Sequence, residues 1–371
     1  MFFYDIPNLL GILILVILSF RMGLIPFWML FFLSIFAFVP FILNDVIFPA
    51  TYMPDQFSYF QKVQQLRHLD FELITNTKLI VSSWMLALIP LPYVETIKSL
   101  GFFSRLIATG LIIWLYSSKN IRGWPLLFIL FYPSFLLYSS LALRDMMVFM
   151  FMIMSVIFFI ENKRMLAMLI ITPIFFIKFQ NFFLIVLFFI VHLYYLKGSL
   201  FHRYRYIFLV VVLAILLPFL PLIIELLDFY RVALFVEDGG IIDEYTPINT
   251  FADFLLLGFK SAPYFLMKPW PWESSSPMQF IQSIENIVLL CFLIFIFIKA
   301  YKLDQKITIK WFVYLALAMG IYGMVVYNYG TAVRYKFPFI LIVIIGISYE
   351  LYLKHNKFIS VKRNKLTKEN F

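Results

Sequence analysis

Long apolar stretches separated by short polar segments run through almost the whole chain. A helix needs about 20 apolar residues to cross a bilayer, and fewer where neighbouring helices compensate. By this rule the pattern predicts about eleven spans, at residues 8–20, 24–43, 98–117, 123–143, 145–160, 165–177, 181–197, 206–227, 283–300, 309–328 and 335–353. The expected fold class is therefore all-α, a polytopic transmembrane helical bundle.

Two further apolar stretches are interrupted by residues that a spanning helix disfavours. Residues 79–94 contain Pro90 and Pro92, and residues 251–267 contain Lys260 and Pro263. Irregular backbone at membrane depth persists only where protein or a wet cavity covers it. We therefore expect re-entrant or interfacial helices here. If residues 79–94 span instead, the preceding loop 44–78 moves to the other side of the membrane.

Lysine and arginine in the short connections predict the orientation of the spans. Cytoplasmic loops carry an excess of these residues. Counting spans back from the basic tail, residues 354–371, puts every other basic connection on the same side, namely 117–122, 161–164, 197–205 and 299–310. The opposite, outer face then collects loop 44–78, the turns at Arg144 and Lys178, segment 228–282 and residues 328–336. The expected organisation is one transmembrane domain, residues 1–353, followed by a basic cytoplasmic tail.

Composition narrows the class of protein. Of 371 residues 63% are hydrophobic, and the single cysteine, Cys291, excludes a disulfide scaffold and is interpreted as a packing residue. The net charge of +10 lies largely in short loops and in the tail, which favours contact with anionic lipid over nucleic acid. There is no phosphate-binding glycine loop, and the four histidines lack ligand spacing, so we expect neither cofactor nor metal.

Two adjacent charges, Arg144 and Asp145, interrupt the apolar stretch "YPSFLLYSSLALRDMMVFMFMIMSVIFF", residues 132–159. A charge at membrane depth is costly, so such residues are functional candidates. A mutually satisfied buried pair or a helix end at the interface would also explain them. Asp145 opens the next predicted helix, where a cap role is as well supported as a catalytic one.

Lys178 and Gln180 break a second apolar run, on the same predicted side as Arg144. They mark either a hairpin turn that meets water or part of a site. Asp55 and Tyr59 lie in the predicted amphipathic helix of "YMPDQFSYFQKVQQLRHLD" and are one helical turn apart. Asp55 is either an N-terminal cap or half of a carboxylate–phenol pair.

Two outer segments combine cations with aromatic side chains. The first, "LMKPWPWESSSPMQF", holds Lys268, Trp270, Trp272 and Glu273. Tryptophan is ordinary at a membrane boundary, but aromatic faces beside a carboxylate also suit sugar rings.

The second, "YNYGTAVRYKFP", holds Asn328, Tyr329, Arg334, Tyr335 and Lys336. A snorkelling anchor is the simple explanation, although outward cations oppose the usual charge bias. Arg144, Lys178 and Arg334 together predict a pocket for a lipid-linked phosphate or diphosphate, because guanidinium and ammonium groups bind phosphate oxygens strongly near lipid.

The order of these elements resembles bacterial polysaccharide polymerases of the O-antigen polymerase (Wzy) type. The matching features are Asp55 with Tyr59, "YPSFLLYSSLALRD", "KFQ", "KPWPWE" and "YGTAVRYKFP". Many such polymerases carry an arginine-rich periplasmic loop, whereas segment 228–282 contains only Arg231.

This resemblance implies a metal-independent glycosyltransferase, multi-pass in the bacterial cytoplasmic (inner) membrane, with its site facing the periplasm. It would move glycan from undecaprenyl diphosphate to a lipid-linked acceptor sugar during O-antigen, capsule or exopolysaccharide synthesis. Arg144, Lys178 and Arg334 would hold diphosphates, and Asp55 or Glu273 would orient or deprotonate the acceptor hydroxyl. The implied partners are the undecaprenyl-diphosphate-linked oligosaccharide and membrane lipid, with a chain-length regulator protein as a candidate and no nucleic acid.

Two alternatives remain. One is a ligase or a single-sugar transferase that uses a polyprenyl-phosphate donor, with Asp55 as the base. The other is a flippase, in which the cations bind the head group without cleavage. Transporters usually show repeated halves, and no convincing internal repeat is evident in the sequence.

Overall fold

The regular structure of the chain is helical throughout the part described. The computed structural model describes residues 2–44, 46–69, 79–118, 121, 123–196, 203–237, 242, 245–274 and 276–369. Within these ranges the only strand-like pairing is an isolated bridge between Asn44 and Phe48. The all-α prediction is confirmed.

Sixteen α-helices lie within those ranges, and we number them in chain order. They are α1 Ile6–Arg21, α2 Phe27–Phe36, α3 Val39–Leu43, α4 Asp55–Arg67, α5 Ile80–Ala87, α6 Ile97–Ser117, α7 Trp124–Phe131, α8 Pro133–Tyr138, α9 Asp145–Ile160, α10 Arg164–Ile177, α11 Phe179–Tyr195, α12 Arg205–Glu237, α13 Phe251–Met267, α14 Pro277–Leu303, α15 Gln305–Val325 and α16 Tyr329–Glu369. The contacts between residues divide the chain into two compact units, residues 1–185 and 186–371.

The first unit is built around α6. The most apolar window of α6 is 72% buried, and α1, α3, α4 and α9 all pack against this helix. Helix α9 also packs against α10, and α4 against α5. Ser104 and Arg105 of α6 are buried and hydrogen-bond residues just before α9. Because buried polar side chains need such partners, α6 lies among other helices.

Polar side chains fix the ends of helices in the first unit. Asp5, buried, accepts hydrogen bonds from Thr96 and from Ser99, at 2.5 Å from the latter hydroxyl, and Thr96 and Ser99 form the capping box that begins α6. The Arg67 guanidinium donates to the carbonyl oxygens of Ala87, Ile89 and Leu91 at 2.5–3.1 Å. Arginine thereby satisfies backbone carbonyls that would otherwise lack partners where α5 ends.

The second unit is built around α16. The candidate span within α16, Gly330–Asn356, is 78% buried, whereas that of α14 is only 33% buried. Helix α15 packs against α13, α14 and α16. A Cβ atom on Gly323 would lie 2.5 Å from the Ser261 carbonyl oxygen, so this glycine permits the close approach of α15 and α13.

A buried ion cluster joins three helices in the second unit. Lys310 of α15 contacts the Glu350 carboxylate of α16 and lies 3.1 Å from Nδ1 of His192, on α11. Trp311 donates to the other Glu350 oxygen at 3.3 Å. All three ionisable side chains are buried. Lys310 was predicted to lie in the basic loop 299–310; it is instead a helical residue that pairs inside the unit.

Four helices of the described chain are long and apolar enough to cross a membrane, namely Ile97–Ser117, Gln279–Leu303, Gln305–Val325 and Gly330–Asn356. Shorter apolar helices cover Ile6–Arg21, Phe27–Leu43, Asp145–Ile160, Arg164–Ile177 and Phe179–Tyr195. The sequence and these helices indicate a membrane protein.

Some predicted spans differ from the helices observed. Residues 123–143 form two short helices, α7 and α8, because Tyr132 before Pro133 is extended and residues 139–144 are irregular. A residue that precedes proline is biased away from helical backbone. The helix predicted at 335–353 continues to Glu369, so the basic tail begins as an extension of α16. Cys291, interpreted from the sequence as a packing residue, is exposed on α14.

Parts of several predicted loops lie outside the described residues. These parts are 45 and 70–78 of loop 44–78, residues 119, 120 and 122 of the basic connection 117–122, 197–202 of the connection 197–205, and 238–241, 243, 244 and 275 of segment 228–282.

Candidate functional site

An irregular segment, residues 139–144, connects α8 to α9; it is buried except at the partly exposed Arg144. The side-chain oxygen of Gln56 accepts hydrogen bonds from the Ala142 amide at 2.9 Å and from Asn44 at 3.2 Å. The Asn44 amide also donates to the carbonyl oxygen of Ser140 at 3.2 Å. Gln56 lies on α4, so this helix holds the segment by its backbone.

Helix α6 holds the same segment from its own side. Ser104 donates to the Leu143 carbonyl at 3.1 Å, and the fully buried Arg105 donates to the Ser139 hydroxyl at 2.7 Å. A Cβ atom on Gly101 would lie 2.4 Å from the Ser140 carbonyl oxygen, so only glycine fits at this position. The segment is therefore rigidly placed although it is not helical.

Arg144 ends this segment and lies at the centre of what we call the cation junction: Tyr59, Arg144, Asp145 and Lys178. Nη1 of Arg144 donates to the carbonyl oxygen of Ile177 at 2.6 Å, and the guanidinium carbon lies 5.8 Å from the centre of the Tyr59 ring. Nε of Arg144 is buried and has no hydrogen-bond partner in the described ranges of the chain. A buried donor without a partner is uncommon. The Nε atoms of Arg105 and Arg231 share this state in the described ranges, so Arg144 is distinguished by its place beside Asp145 and Lys178.

Lys178 and Asp145 form the second part of the cation junction. The Lys178 ammonium lies 3.5 Å from the Asp145 carboxylate, and both side chains are buried. Asp145 is the first residue of α9, where its charge complements the helix dipole. Lys178 ends α10 with non-helical backbone. The structure thus brings together Arg144, Asp145 and Lys178, which the sequence placed on one predicted face.

Three sequence-predicted residues near the cation junction have different environments. Tyr59 is 2% exposed, whereas Asp55, the first residue of α4, is exposed. Gln180 is exposed, and its neighbour Asn181 is buried, with its amide 3.3 Å from Met152 Sδ. Sequence reasoning named Gln180 and missed Asn181; the start of α11 at Phe179 fixes which of the adjacent amides faces inward.

The tryptophan loop, residues 268–273, is the main polar feature of the second unit. One Glu273 oxygen lies 2.6 Å from the Lys268 ammonium, and the other accepts from the Trp270 amide at 3.1 Å. The rings of Trp270 and Trp272 stack at 5.1 Å with planes 5° apart, and Trp272 is 77% exposed. The hydrogen bond from Lys268 lowers the pKa of Glu273, with a smaller contribution from the Trp270 amide.

Lys336 of α16 and Asn286 of α14 hold the tryptophan loop by hydrogen bonds to its backbone and to each other. Lys336 is fully buried and donates to Asn286 at 2.6 Å and to the carbonyl oxygens of Leu266 and Lys268 at 3.3 Å. Asn286 in turn donates to the Lys268 carbonyl at 3.0 Å. Lys336 was recognised in the sequence but was not among the predicted site residues.

The remaining predicted residues lie at the start of α16. The Asn328 side chain accepts from the amides of Gly330 and Thr331 at 2.8 and 3.4 Å, which caps this helix. Tyr329 is its first residue. Arg334 is buried, and the Tyr335 ring lies 5.1 Å from that of Tyr322. Arg334 belongs to the second unit, and its convergence with Arg144 and Lys178 stays a prediction.

Arg231, the only arginine of segment 228–282, was not predicted as a site residue. It is buried, and its guanidinium carbon lies 5.3 Å from the Tyr245 ring and 5.9 Å from the Tyr327 ring. Its Nη1 lies 3.4 Å from the Asp228 carboxylate. A sequence pattern could have identified Arg231, because it is a lone arginine three residues after an aspartate at the end of an apolar stretch.

Comparison with protein-family models, curated proteins and solved structures gave no match. In the described ranges no group of three or more His, Cys, Asp or Glu side chains lies close enough to hold a metal ion.

The contacts of Glu273 give a pH prediction. Because its folded pKa lies below the ordinary value of 4.5, the stabilisation by this carboxylate is fully present above pH 4.5 and is lost as pH falls through the lowered folded pKa. We expect the near-ultraviolet circular dichroism of the Trp270–Trp272 couplet to be constant from neutral pH to about 4.5 and to fall below it. In Glu273→Gln this loss should be absent, while Glu161→Gln, which alters a partly exposed carboxylate of the first unit, should behave as wild type. The same acid transition in Glu273→Gln would contradict the assignment.

Proposed function

We propose that the chain is a glycosyltransferase of the bacterial polysaccharide-polymerase type. It transfers a glycan from undecaprenyl diphosphate to the sugar of a lipid-linked acceptor, at the periplasmic face of the inner membrane. The finer topology belongs to this proposal: about eleven spans, re-entrant or interfacial helices on the periplasmic side, and basic connections in the cytoplasm.

The observation that carries the proposal is the cation junction. A rigid, buried, non-helical segment presents Arg144 beside Lys178, and the Arg144 guanidinium retains a buried Nε without a partner in the described part of the chain. One edge of the Arg144 guanidinium donates to a carbonyl oxygen. The donors on its other edge can bind a phosphate oxygen. Lys178 supplies a second positive charge, and its ion pair with Asp145 restricts the movement of its side chain.

In the proposed reaction the acceptor hydroxyl attacks the anomeric carbon of the donor, the bond from that carbon to the diphosphate oxygen breaks, and undecaprenyl diphosphate leaves. Arg144 and Lys178 stabilise the negative charge that develops on the leaving diphosphate. The hydroxyl proton passes to a carboxylate. Glu273 is a weak base because Lys268 and the Trp270 amide occupy its two oxygens. The other candidate is Asp55, which is exposed at the start of α4.

The tryptophan loop fits sugar recognition in this scheme. Stacked indole faces offer a flat apolar surface to the C–H groups of a pyranose ring. Glu273 and Lys268 hold the loop in shape, and Lys336 with Asn286 support it. We assign Trp270 and Trp272 to glycan binding and Glu273 to positioning them.

The decisive experiment incubates the purified protein in nanodiscs with lipid-linked repeat units and separates the products by size. A ladder of lipid-linked glycans is expected. One addition without further growth would indicate a ligase or a single-sugar transferase. Unchanged substrate that nevertheless becomes accessible on the other leaflet of a vesicle would indicate a flippase and contradict the proposal.

A further inference from the structure

A cavity that the proposed reaction does not yet use lies between α12 and the segment before α13. Its volume is about 480 Å³, and its walls include Pro221, Pro247 and Phe251. Three polar residues, Glu225, Asp228 and Asn249, line the same space. Small-molecule sites are typically cavities of roughly 300–1,000 Å³ with apolar walls and a few placed polar groups. The cavity has the size and lining of such a site.

Asp228 is held in a fixed orientation at this cavity. Its Oδ1 atom accepts from the Tyr245 hydroxyl at 2.6 Å and the Ile248 amide at 3.0 Å, and lies 3.4 Å from Nη1 of Arg231. Its Oδ2 atom has no hydrogen-bond partner within the residues described. Burial and the hydrogen bond to Asp228 raise the pKa of Tyr245, so the phenol stays protonated and remains a donor at neutral pH.

Arg231, which supports Asp228, is held by two aromatic rings. Arg231 lies against the Tyr245 and Tyr327 rings and is 5% exposed. Cation–π contacts of this kind keep a guanidinium in place while its charge acts on a neighbour. Asp228 is therefore an oriented carboxylate that keeps one oxygen for a ligand.

Glu225 lies one helical turn before Asp228 on α12, and both line the cavity. Its side chain is exposed and takes no part in the Asp228 network. Two carboxylates would repel a phosphate, and a hydrocarbon ligand would gain nothing from them. A neutral ligand rich in hydroxyl groups fits, because carboxylate oxygens accept hydroxyl hydrogen bonds and apolar walls contact its C–H faces.

We infer that this cavity binds a sugar ring of the acceptor glycan, with Asp228 Oδ2 and Glu225 accepting hydrogen bonds from its hydroxyl groups. The acceptor assignment rests on the proposed function, whereas sugar binding by the cavity does not. Asn249 supplies an amide able to donate and accept at the same ring.

The test uses the full-length protein in nanodiscs and saturation-transfer-difference NMR with methyl glycosides of glucose, galactose, N-acetylglucosamine and rhamnose. We expect at least one glycoside to bind, with affinity reduced roughly tenfold or more in Asp228→Asn and in Glu225→Gln. Tyr245→Phe, which frees Oδ1 from one donor, should weaken binding less. Asp253→Asn is the matched control, because this exposed carboxylate belongs to the capping box of α13 and is not among the residues that line the cavity.

Each outcome is decisive. No glycoside bound by wild type, or unchanged binding in Glu225→Gln, would overturn the inference. The Glu225 side chain is exposed and has no hydrogen bond or ion pair among the described residues, so this variant should fold as wild type. Displacement of the glycoside by ethanolamine would also overturn it, since the cavity would then recognise positive charge.

Assays of glycan chain growth distinguish a failure of this inference from a failure of the proposed function. If wild type makes no glycan ladder but Asp228→Asn still loses glycoside binding, the proposed function fails and the sugar site stands. If wild type makes a ladder and the acceptor KM of Asp228→Asn and Glu225→Gln is unchanged, the acceptor assignment fails.

Discussion

Replacing Arg144 with alanine is expected to abolish glycan chain growth while leaving membrane insertion intact. The variant removes the guanidinium at the cation junction, including the buried Nε that has no partner among the described residues and the Nη1 that donates to Ile177. Loss of one partner of a desolvated charged contact costs roughly 2–5 kcal/mol, which corresponds to a rate loss of about 30-fold to several thousand-fold. The measurement is the size distribution of lipid-linked glycan made by equal amounts of purified protein.

Two companion variants sharpen this result. Arg144→Lys keeps the charge but loses the planar fork, so we expect intermediate activity. Arg164→Ala removes an exposed arginine at the start of α10 and should match wild type. Wild-type chain lengths in Arg144→Ala, or equal losses in Arg144→Ala and Arg164→Ala, would remove Arg144 from the reaction.

The second large effect concerns the buried ion cluster of α11, α15 and α16. Lys310→Met leaves the Glu350 carboxylate buried without its lysine, next to His192 and Trp311. Breaking a buried pair by removing one partner typically costs about 3–5 kcal/mol, whereas replacing both partners with apolar residues is often nearly neutral. We therefore expect Lys310→Met to unfold at a clearly lower temperature in detergent and Lys310→Met/Glu350→Leu to recover most of the loss.

An exposed ion pair in the same unit serves as the control. Lys354 and Asp304 lie 2.5 Å apart, but Lys354 is 58% exposed. Such surface pairs contribute only about 0–1 kcal/mol, so Lys354→Met should shift the melting temperature little. A double variant no more stable than Lys310→Met would show that the cluster stabilises the unit by something other than charge pairing.

Much of the helical framework was predictable because local apolar runs determine it. The boundaries of α1, α6, α9, α10 and α11 follow such runs within a few residues, and α4 follows the amphipathic spacing that begins at Asp55.

The irregular segment 139–144 was not predictable in the same way. Its sequence, "SSLALR", is as compatible with a helix as the sequences beside it. It forms turns instead because Asn44, Gln56, Ser104 and Arg105 hydrogen-bond its backbone and hydroxyls from distant positions. Sequence periodicity contains no information about these long-range partners.

The site was predictable to the extent that charge at membrane depth is conspicuous. Arg144, Asp145 and Lys178 stood out and do meet, but the choice of Gln180 over Asn181 depended on where α11 begins. Lys310 and Glu350 were hidden for a different reason: each lies near the end of an apolar run, where a charge is ordinarily explained by contact with water.

Cys291 makes the least buried of the four candidate spans experimentally accessible. It is the only cysteine in the chain, and it is exposed on α14. A nitroxide attached there needs no background substitutions, and its relaxation by lipid-soluble oxygen compared with a water-soluble nickel chelate reports immersion depth. The natural sequence thus already contains a single-site gauge of how this helix lies in the bilayer.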